Sequence, residues 1–155
     1  MPIEIEHKYL VKQDLWKAIV PEKSIEIKQA YLLTDPKKTI RIRTKGNQGY
    51  ITIKGKSIGA SRPEFEYEIP FDDACEMITK FSISLIEKTR HYVNFGNKLW
   101  EVDEFKGPNI GLIVAEIELA NENEGYTIPE WVDKNVTDDQ RYANSNLSLK
   151  PYGTW

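Results

Sequence analysis

Several segments of this sequence carry charges of one sign at every second position. The basic pairs and acidic runs are Arg41 with Arg43, Lys88 with Arg90, Glu64 with Glu66 and Glu68, and Glu116 with Glu118. Alternation with a period of two is typical of a β-strand, so each set projects from one face of its strand. Like charges crowded on one face repel each other and require neutralisation. The cations are suited to a polyanion, and the carboxylates are suited to divalent metal ions.

The N-terminal segment, residues 2–10, has the same period with mixed charge. Glu4, Glu6 and Lys8 alternate with isoleucine, histidine and tyrosine. This predicts a strand with three charged side chains on one face and a mostly apolar opposite face. Taken alone, such a face is typical of the solvated side of an antiparallel sheet.

Eight segments have strand-like patterns, and helical patterns separate some of them. The strand candidates are residues 2–10, 25–33, 39–45, 51–54, 64–69, 85–95, 98–105 and 112–119. The helix candidates are residues 13–20, a segment capped by Asp72 that runs to Phe81, a short one at 129–132, and a last one after a capping box at 137–140. Because no helix links successive strands in a parallel repeat, the pattern predicts an antiparallel sheet with flanking helices.

The composition indicates a globular protein of one domain, residues 1–155. Hydrophobic residues make up 40% of the 155 residues and charged residues 29%. The 21 basic and 24 acidic residues are nearly balanced, which does not suggest a nucleic-acid-binding surface.

The single cysteine, Cys75, excludes an internal disulfide and a multi-cysteine zinc site, and we expect it in the core. No membrane span or signal peptide is evident, so we expect a cytoplasmic protein without a membrane partner.

Two architectures are compatible with strands that have one apolar and one charged face. In the first, an open sheet packs its apolar face on helices and exposes the charges to water. In the second, the sheet closes into a barrel, the helices cover its apolar outside, and the charges line the lumen. Eight strands suffice to close a barrel with room for side chains or one small ligand. The periodicity leaves both open.

The paired motifs resemble those of the triphosphate tunnel metalloenzymes, also called the CYTH superfamily. The N-terminal Glu4–Lys8 segment resembles the family's Glu-x-Glu-x-Lys signature. In the family's order follow Arg41-Ile-Arg43, Thr52-Ile-Lys54, Glu64-Phe-Glu66, Lys88-Thr-Arg90, Glu101-Val-Asp103 and Glu116-Ile-Glu118. The tail Arg141–Leu147 also resembles the closing segment of small bacterial members. The resemblance spans almost the whole chain.

This resemblance implies an α+β fold built on a closed eight-stranded antiparallel β-barrel, a tunnel with a charged lumen and flanking helices. It implies hydrolysis of a linear triphosphate with the help of two metal ions, either Mg²⁺ or Mn²⁺. Short bacterial-type chains are most similar to the inorganic triphosphatases, which release diphosphate and phosphate from tripolyphosphate. The expected partners are a small-molecule triphosphate and, as one option, a second copy of the chain in a homodimer.

The resemblance also implies roles for individual residues. The triphosphate clamp comprises Arg41, Arg43, Lys54, Lys88 and Arg90, together with Lys8. The expected metal ligands are Glu4, Glu6, Asp103, Glu116 and Glu118. Glu64, Glu66 and Glu101 are further ligands or partners that neutralise the arginines. In the loop at 56–62, Lys56 and Arg62 are candidates for a contact with phosphate, as in a mobile lid, although a plain solvated loop is the alternative.

Lys8 is the candidate catalytic residue, and its role needs a physical argument. It shares a face with Glu4 and Glu6, whose charges favour the protonated ammonium. A permanently protonated lysine is poorly suited to act as a general base. We therefore expect Lys8 to orient the attacking water or stabilise charge. A general-base role is the alternative, since metal bound to the glutamates or a nearby cation would weaken their effect on Lys8.

Three other functions are compatible with the same motifs. An adenylate cyclase or a thiamine triphosphatase would use the same cations and metals on a substrate with an organic group. A non-catalytic polyphosphate or nucleotide sensor would bind without turnover. The acidic pairs argue against the sensor, because pure anion binding is better served without them.

Overall fold

The computed structural model describes residues 2–155. Nine strands form the framework: β1 (Ile3–Val11), β2 (Lys23–Asp35), β3 (Lys38–Lys45), β4 (Gln48–Gly55), β5 (Ser61–Ile69), β6 (Ser84–Phe95), β7 (Lys98–Phe105), β8 (Ile113–Glu118) and β9 (Val132–Asn135). The α-helices are α1 (Gln13–Trp16), α2 (Phe71–Phe81) and α3 (Asn144–Leu149). Short 3₁₀ helices span Gly107–Asn109, Gln140–Tyr142 and Tyr152–Thr154.

The first eight strands close into an antiparallel barrel, as the sequence predicts. The strand order is β5-β4-β3-β2-β6-β7-β8-β1, and a pairing of β1 with β5 completes the ring. The closing seam is short, since only Ile3, Ile5 and the intervening Glu4 pair with residues of β5. Strand β9 is added to the other part of the same edge of β1.

Tight hairpins fix the register that aims the charged residues. The β6–β7 hairpin has a two-residue turn, and both central residues, Gly96 and Asn97, have positive φ values of 58° and 61°. This turn geometry matches the twist of the flanking strands. It places Arg90 directly opposite Asp103. Residues opposite each other in a pair of strands share a face, so the turn decides which charges meet inside the barrel.

The largest apolar cluster lies on the outside of the barrel. Trp100 of β7 is fully buried there, and the ring of Trp131 lies 5.9 Å from it and 5.0 Å from the ring of Trp16. The α1 segment and the chain before β9 therefore cover the outer face of β1, β7 and β8. On another side, α2 packs Ala74 and Ile78 against the outer face of β2 and β3. The three tryptophans are packing residues.

A second cluster closes one end of the barrel from inside. Phe105 faces Lys88 across the β6–β7 pair, and Tyr31 faces Arg41 across the β2–β3 pair, so both aromatic side chains point inward. They join a buried cluster with Tyr142 and Leu147 of the C-terminal segment. Inward-facing positions are thus charged along the lumen and apolar where α3 caps it.

Four local predictions differ from the structure. No helix forms at 129–132: Glu130 and Trp131 form a turn, and β9 begins at Val132, which pairs with Val11. The pattern at 137–140 is not a capping box: Asp139 caps the 3₁₀ helix by accepting from the Arg141 amide. Helix α2 has Pro70, not Asp72, at its N-cap. Cys75 is exposed, because α2 turns that position towards solvent.

None of the helices within residues 2–155 has both the length and the apolar character needed to cross a membrane.

Truncation of Trp100 tests whether the outer cluster holds the barrel together. We expect Trp100→Ala to lower the free energy of unfolding by about 3–5 kcal/mol, because a large buried side chain leaves a cavity. Trp100→Phe is the matched control, since the indole N–H has no hydrogen-bond partner within residues 2–155 and the ring volume is largely kept. Urea denaturation measures both. If both variants lost the same small amount of unfolding free energy, the cluster would be dispensable for stability.

Candidate active site

The barrel encloses a cavity of about 210 Å³ whose wall is charged. Of the residues predicted for the site, the cations that line it are Lys8, Arg41, Arg43, Lys54, Arg62, Lys88 and Arg90, and the acids are Glu4, Glu6, Glu64, Glu66, Glu101, Glu116 and Glu118. Two predicted residues are outside this set. Lys56 is exposed on the loop after β4, and Asp103 is buried behind the wall. The structure thus brings most of the predicted residues together around one space.

Asp103 is the counter-ion of two cations, Arg90 and Lys88. Arg90 donates from Nε to Oδ1 at 2.8 Å and from Nη2 to Oδ2 at 2.9 Å, and Lys88 Nζ donates to Oδ2 at 2.7 Å. The Asp103 side chain has no exposed surface. Burial opposes its ionisation, but Arg90 and Lys88 prevail and hold the pKa of Asp103 far below its usual value. In this structure its oxygens are engaged by the two cations, and the metal role of Asp103 stays a prediction.

Three further acids hold cations elsewhere on the wall. Glu66 accepts from Arg41 Nη2 at 3.3 Å and from the Thr52 hydroxyl at 2.8 Å. Lys54 Nζ donates to Glu4 at 2.8 Å and lies 3.1 Å from Glu64. Burial and the neighbouring Glu4 raise the pKa of Glu64 to about 7. These contacts fix the directions of Arg41 and Lys54 before any ligand arrives.

Three cations of the wall have no acidic partner within 4 Å among residues 2–155: Arg43, Lys45 and Arg62. Arg43 is the clearest case, because its Nε is buried without any hydrogen-bond partner in the described chain. Burial, followed by the charges of Arg41 and Arg90, lowers the pKa of Arg43 to about 10. A partly buried guanidinium beside two others is unfavourable unless an anion joins it. This part of the wall is therefore prepared for a negatively charged ligand.

On the opposite wall, carboxylates are crowded with few cations between them. Strand β8 lies four positions from β3 in the ring, and it places Glu118 opposite Glu6 and Glu116 opposite Lys8 of β1. Like charges directly opposite each other in a sheet are destabilising. Burial, Glu116 and Glu4 raise the pKa of Glu6 to about 8, and burial and Glu4 also raise the pKa of Glu118. The crowding indicates that a cation belongs among these carboxylates.

The carboxylates fit Mg²⁺ or Mn²⁺, although they do not form a complete coordination sphere in this structure. No three Asp, Glu, His or Cys side chains within residues 2–155 converge as a complete ligand group. Magnesium is normally bound through one or two carboxylates together with substrate phosphates and water. Glu6, Glu116 and Glu118, with Glu4 beside them, would supply the carboxylates for such an ion.

Lys8 lies between the crowded acids. Its Nζ is 3.8 Å from Glu6 and 3.9 Å from Glu116. Burial alone would lower the pKa of Lys8, but Glu116, Glu6 and Glu4 outweigh burial and raise it. The ammonium form is therefore favoured, as the sequence predicts, and Lys8 is placed to donate hydrogen bonds.

Six lining residues were not in the set predicted from the sequence: Tyr31, Thr39, Lys45, Ala143, Asn144 and Ser145. Lys45 continues the alternation of Arg41 and Arg43, so the pattern contained its signal. Asn144 accepts from Lys88 Nζ at 2.9 Å and from the Gln29 amide at 3.2 Å. It comes from the C-terminal segment, and only the tertiary fold brings it to the lumen.

The CYTH domain model matches residues 2–149. The chain belongs to the CYTH family. An inorganic triphosphatase of Acetivibrio thermocellus is 44% identical over 150 residues, which cover 96% of this chain and 95% of that protein. An inorganic triphosphatase of Nitrosomonas europaea is 30% identical over 153 residues, covering 94% and 97% of the two chains.

The crystal structure of the inorganic triphosphatase NE1496 has a similar fold. The TM-score is 0.66 at 28% identity, and the match covers 96% of this chain and 96% of that one. The closed barrel of this CYTH chain is therefore the tunnel of a known structural family. The predicted family and fold are both confirmed.

The contrast between Arg43 and Arg90 can be measured without any ligand. Arg90→Met should lower the free energy of unfolding by about 3 kcal/mol or more, because it strips Asp103 of a buried partner. Arg43→Met should cost little or even stabilise the protein, because Arg43 has no acidic partner to lose. Urea denaturation in phosphate-free buffer measures both variants. Similar losses in the two would contradict the assignment of Arg43 as the uncompensated cation.

Proposed function

We propose that this CYTH chain hydrolyses inorganic tripolyphosphate to diphosphate and phosphate with the help of Mg²⁺ or Mn²⁺. The observation that carries the proposal is the division of the cavity. Arg43 and Lys45 of β3, which lack acidic partners in the described chain, lie on one wall, and the crowded carboxylates Glu6, Glu116 and Glu118 lie on the other. A phosphate chain carrying divalent cations is complementary to both walls. The two curated relatives described above, named as inorganic triphosphatases, support the same substrate.

The reaction is a phosphoryl transfer to water. The water oxygen forms a bond to a terminal phosphorus, the bridging P–O bond breaks, and its electron pair leaves with diphosphate. One proton of the water is released, so tripolyphosphate and water yield diphosphate, phosphate and a proton. Such transfers depend mainly on positioning and on stabilisation of charge, and the protein needs no covalent intermediate.

The cations supply the positioning. Arg41 and Arg90 are held in fixed directions by Glu66 and Asp103, and planar guanidinium groups suit bidentate contacts with phosphate. Arg43 and Arg62, which lack acidic partners in the described chain, supply the charge that the phosphate chain neutralises. Lys45 and Lys54 add point charges at other places on the wall. The wall therefore combines rigid and uncompensated cations.

The carboxylates Glu4, Glu6, Glu116 and Glu118 would hold the metal ions. When bound, such ions neutralise charge on phosphate oxygens and lower the pKa of a bound water. Lys8 then donates a hydrogen bond from within the acid cluster towards the reacting phosphate or water. Its raised pKa argues for this orienting role and against a general base.

A substrate panel tests the proposal directly. The purified protein is incubated with tripolyphosphate, diphosphate, thiamine triphosphate or ATP, each with Mg²⁺, with Mn²⁺ or with a chelator. We expect phosphate release to be greatest with tripolyphosphate and to disappear with the chelator. Cyclic AMP as the main product from ATP would favour a cyclase. Tight triphosphate binding without phosphate release would favour a sensor.

Substitution of Lys8 separates catalysis from binding. We expect Lys8→Met to lower kcat for tripolyphosphate by about 100-fold or more while KM changes little, since a donor aimed at developing charge acts mainly in the transition state. Steady-state phosphate release measures both constants. Lys12→Met is the matched control, because Lys12 is exposed and directly follows β1. A loss expressed mainly in KM would make Lys8 a binding group.

The metal assignment is testable without turnover. Glu6→Gln relieves repulsion among the acids, so the metal-free variant should melt at the same temperature as the wild type or higher. Mn²⁺ should stabilise the wild type by about 2.7 kcal/mol at a hundredfold excess over its Kd. The variant should lose most of this gain.

The control is Glu76→Gln, which removes an exposed carboxylate of α2 that pairs with Lys80. It should keep the full Mn²⁺ response in a thermal melt. Equal stabilisation of the Glu6 variant and the wild type by Mn²⁺ would contradict the metal site.

A further inference from the structure

The barrel wall is interrupted beside the proposed reaction centre. Along one edge of β1, Ile3–Ile5 pair with β5, whereas Tyr9 and Val11 pair with β9. Residues 6–8, which carry Glu6 and Lys8, lie between these two partners. No strand of the described chain pairs with them on that edge.

Two irregular segments hold residues 6–8 instead. On one side, the Ala60 carbonyl accepts from the Glu6 amide at 3.3 Å. On the other side, the Thr137 hydroxyl accepts from the Lys8 amide at 3.0 Å and donates to Asn135. The loop before β5 and the chain after β9 therefore form the two sides of a gap.

A small cavity of about 40 Å³ lies in this gap. Its inner wall includes Glu6 and Lys8, which also line the central cavity. Its outer wall includes Ala60, Thr137 and Asp139, which also line an open surface pocket of about 510 Å³. The three spaces thus share walls in succession, from the tunnel to the outside.

The size of the middle space decides what can pass. One water occupies about 30 Å³ in the liquid, so a cavity of about 40 Å³ holds very few waters. It is much smaller than the central cavity of about 210 Å³, which would hold the phosphate chain. Its wall also offers polar partners, including the Lys8 ammonium and the Thr137 hydroxyl, which a buried water requires.

We propose that this gap, between the loop at 57–60 and the segment at 137–140, is the route by which the attacking water reaches Lys8 while the phosphate chain fills the tunnel. The inference rests on the proposed function, because it supplies the nucleophile for that reaction. The step itself is the one given above: the entering water bonds to the terminal phosphorus, diphosphate leaves with the electrons of the bridging bond, and one proton passes to solvent.

A competing nucleophile tests the route. Tripolyphosphate is hydrolysed with Mg²⁺ in mixtures of water and methanol, and ³¹P NMR measures the share of methyl phosphate among the monophosphate products. Methanol attacks the same phosphorus but is larger by one carbon. A passage sized for water discriminates against it, and the product share does not depend on how active each variant is.

Thr137→Ser widens the gap by one methyl group and keeps the hydroxyl that accepts from Lys8. We expect the methyl phosphate share to rise by about tenfold, the usual scale for one methyl group in a close-fitting site. Ala60→Leu narrows the gap, and we expect kcat to fall by about tenfold with less than about a twofold change in KM. Ile58→Ala, on the same loop, is the control, since Ile58 is exposed and lines neither cavity; it should match the wild type.

Circular dichroism confirms that each variant is folded, and Thr137→Ser keeps the test valid should Ala60→Leu fail to fold. Turnover with the same methyl phosphate share in the Thr137→Ser variant and the wild type would overturn the water route and leave the proposed function intact. An absence of any turnover of tripolyphosphate by the wild type would overturn the proposed function and the water route with it.

Discussion

The interior of this barrel is charged, and the need to balance each buried charge determines its structure. Asp103 shows the balance completed within the protein, because Arg90 and Lys88 engage its oxygens with no exposure to water. Arg43 shows the balance left incomplete, with a buried Nε that lacks a partner in the described chain. A charge that the fold buries without a partner has to be compensated by a ligand or carried at a cost in stability. The site is therefore the part of the lumen in which charged side chains lack counter-ions from the described chain.

Polar residues face the lumen of this barrel and apolar residues face its outside, so few helices are needed to cover the outer apolar surface. Each strand has an apolar face, and in a closed barrel that face points outward, where it needs a cover. Trp16 and Trp131 provide one cover through their contacts with Trp100, and α2 provides another. The C-terminal segment closes one end with Tyr142 and Leu147. The same apolar packing that stabilises the molecule thus keeps the charged residues facing a common space.

Much of this arrangement was predictable, because strand periodicity assigns side chains to faces. The alternation of Arg41 with Arg43 and of Glu116 with Glu118 is a local property, and the family motifs supplied the closure that periodicity left open. The partner of each charge was not predictable. Glu101 and Asp103 have the same local pattern, yet one lines the cavity and the other is buried behind it. The difference depends on the register between β6 and β7, which a hairpin turn sets.

Two of the segments that differ from their predictions have conformations that depend on distant contacts. Thr137 precedes acidic residues as a helix cap would, but its hydroxyl accepts from the amide of Lys8, far away in sequence. Val132 has a helix-like neighbourhood, yet it pairs with Val11. In both places a tertiary contact with β1 overrides the local pattern.

The most direct test of the account is a crystal structure with Mn²⁺ and a non-hydrolysable imido analogue of tripolyphosphate. The account predicts anomalous manganese signal beside Glu6, Glu116 and Glu118, with the analogue's phosphates in contact with Arg43 inside the barrel. Binding of the analogue on the outer surface, with Arg43 still unpaired in an empty lumen, would contradict it.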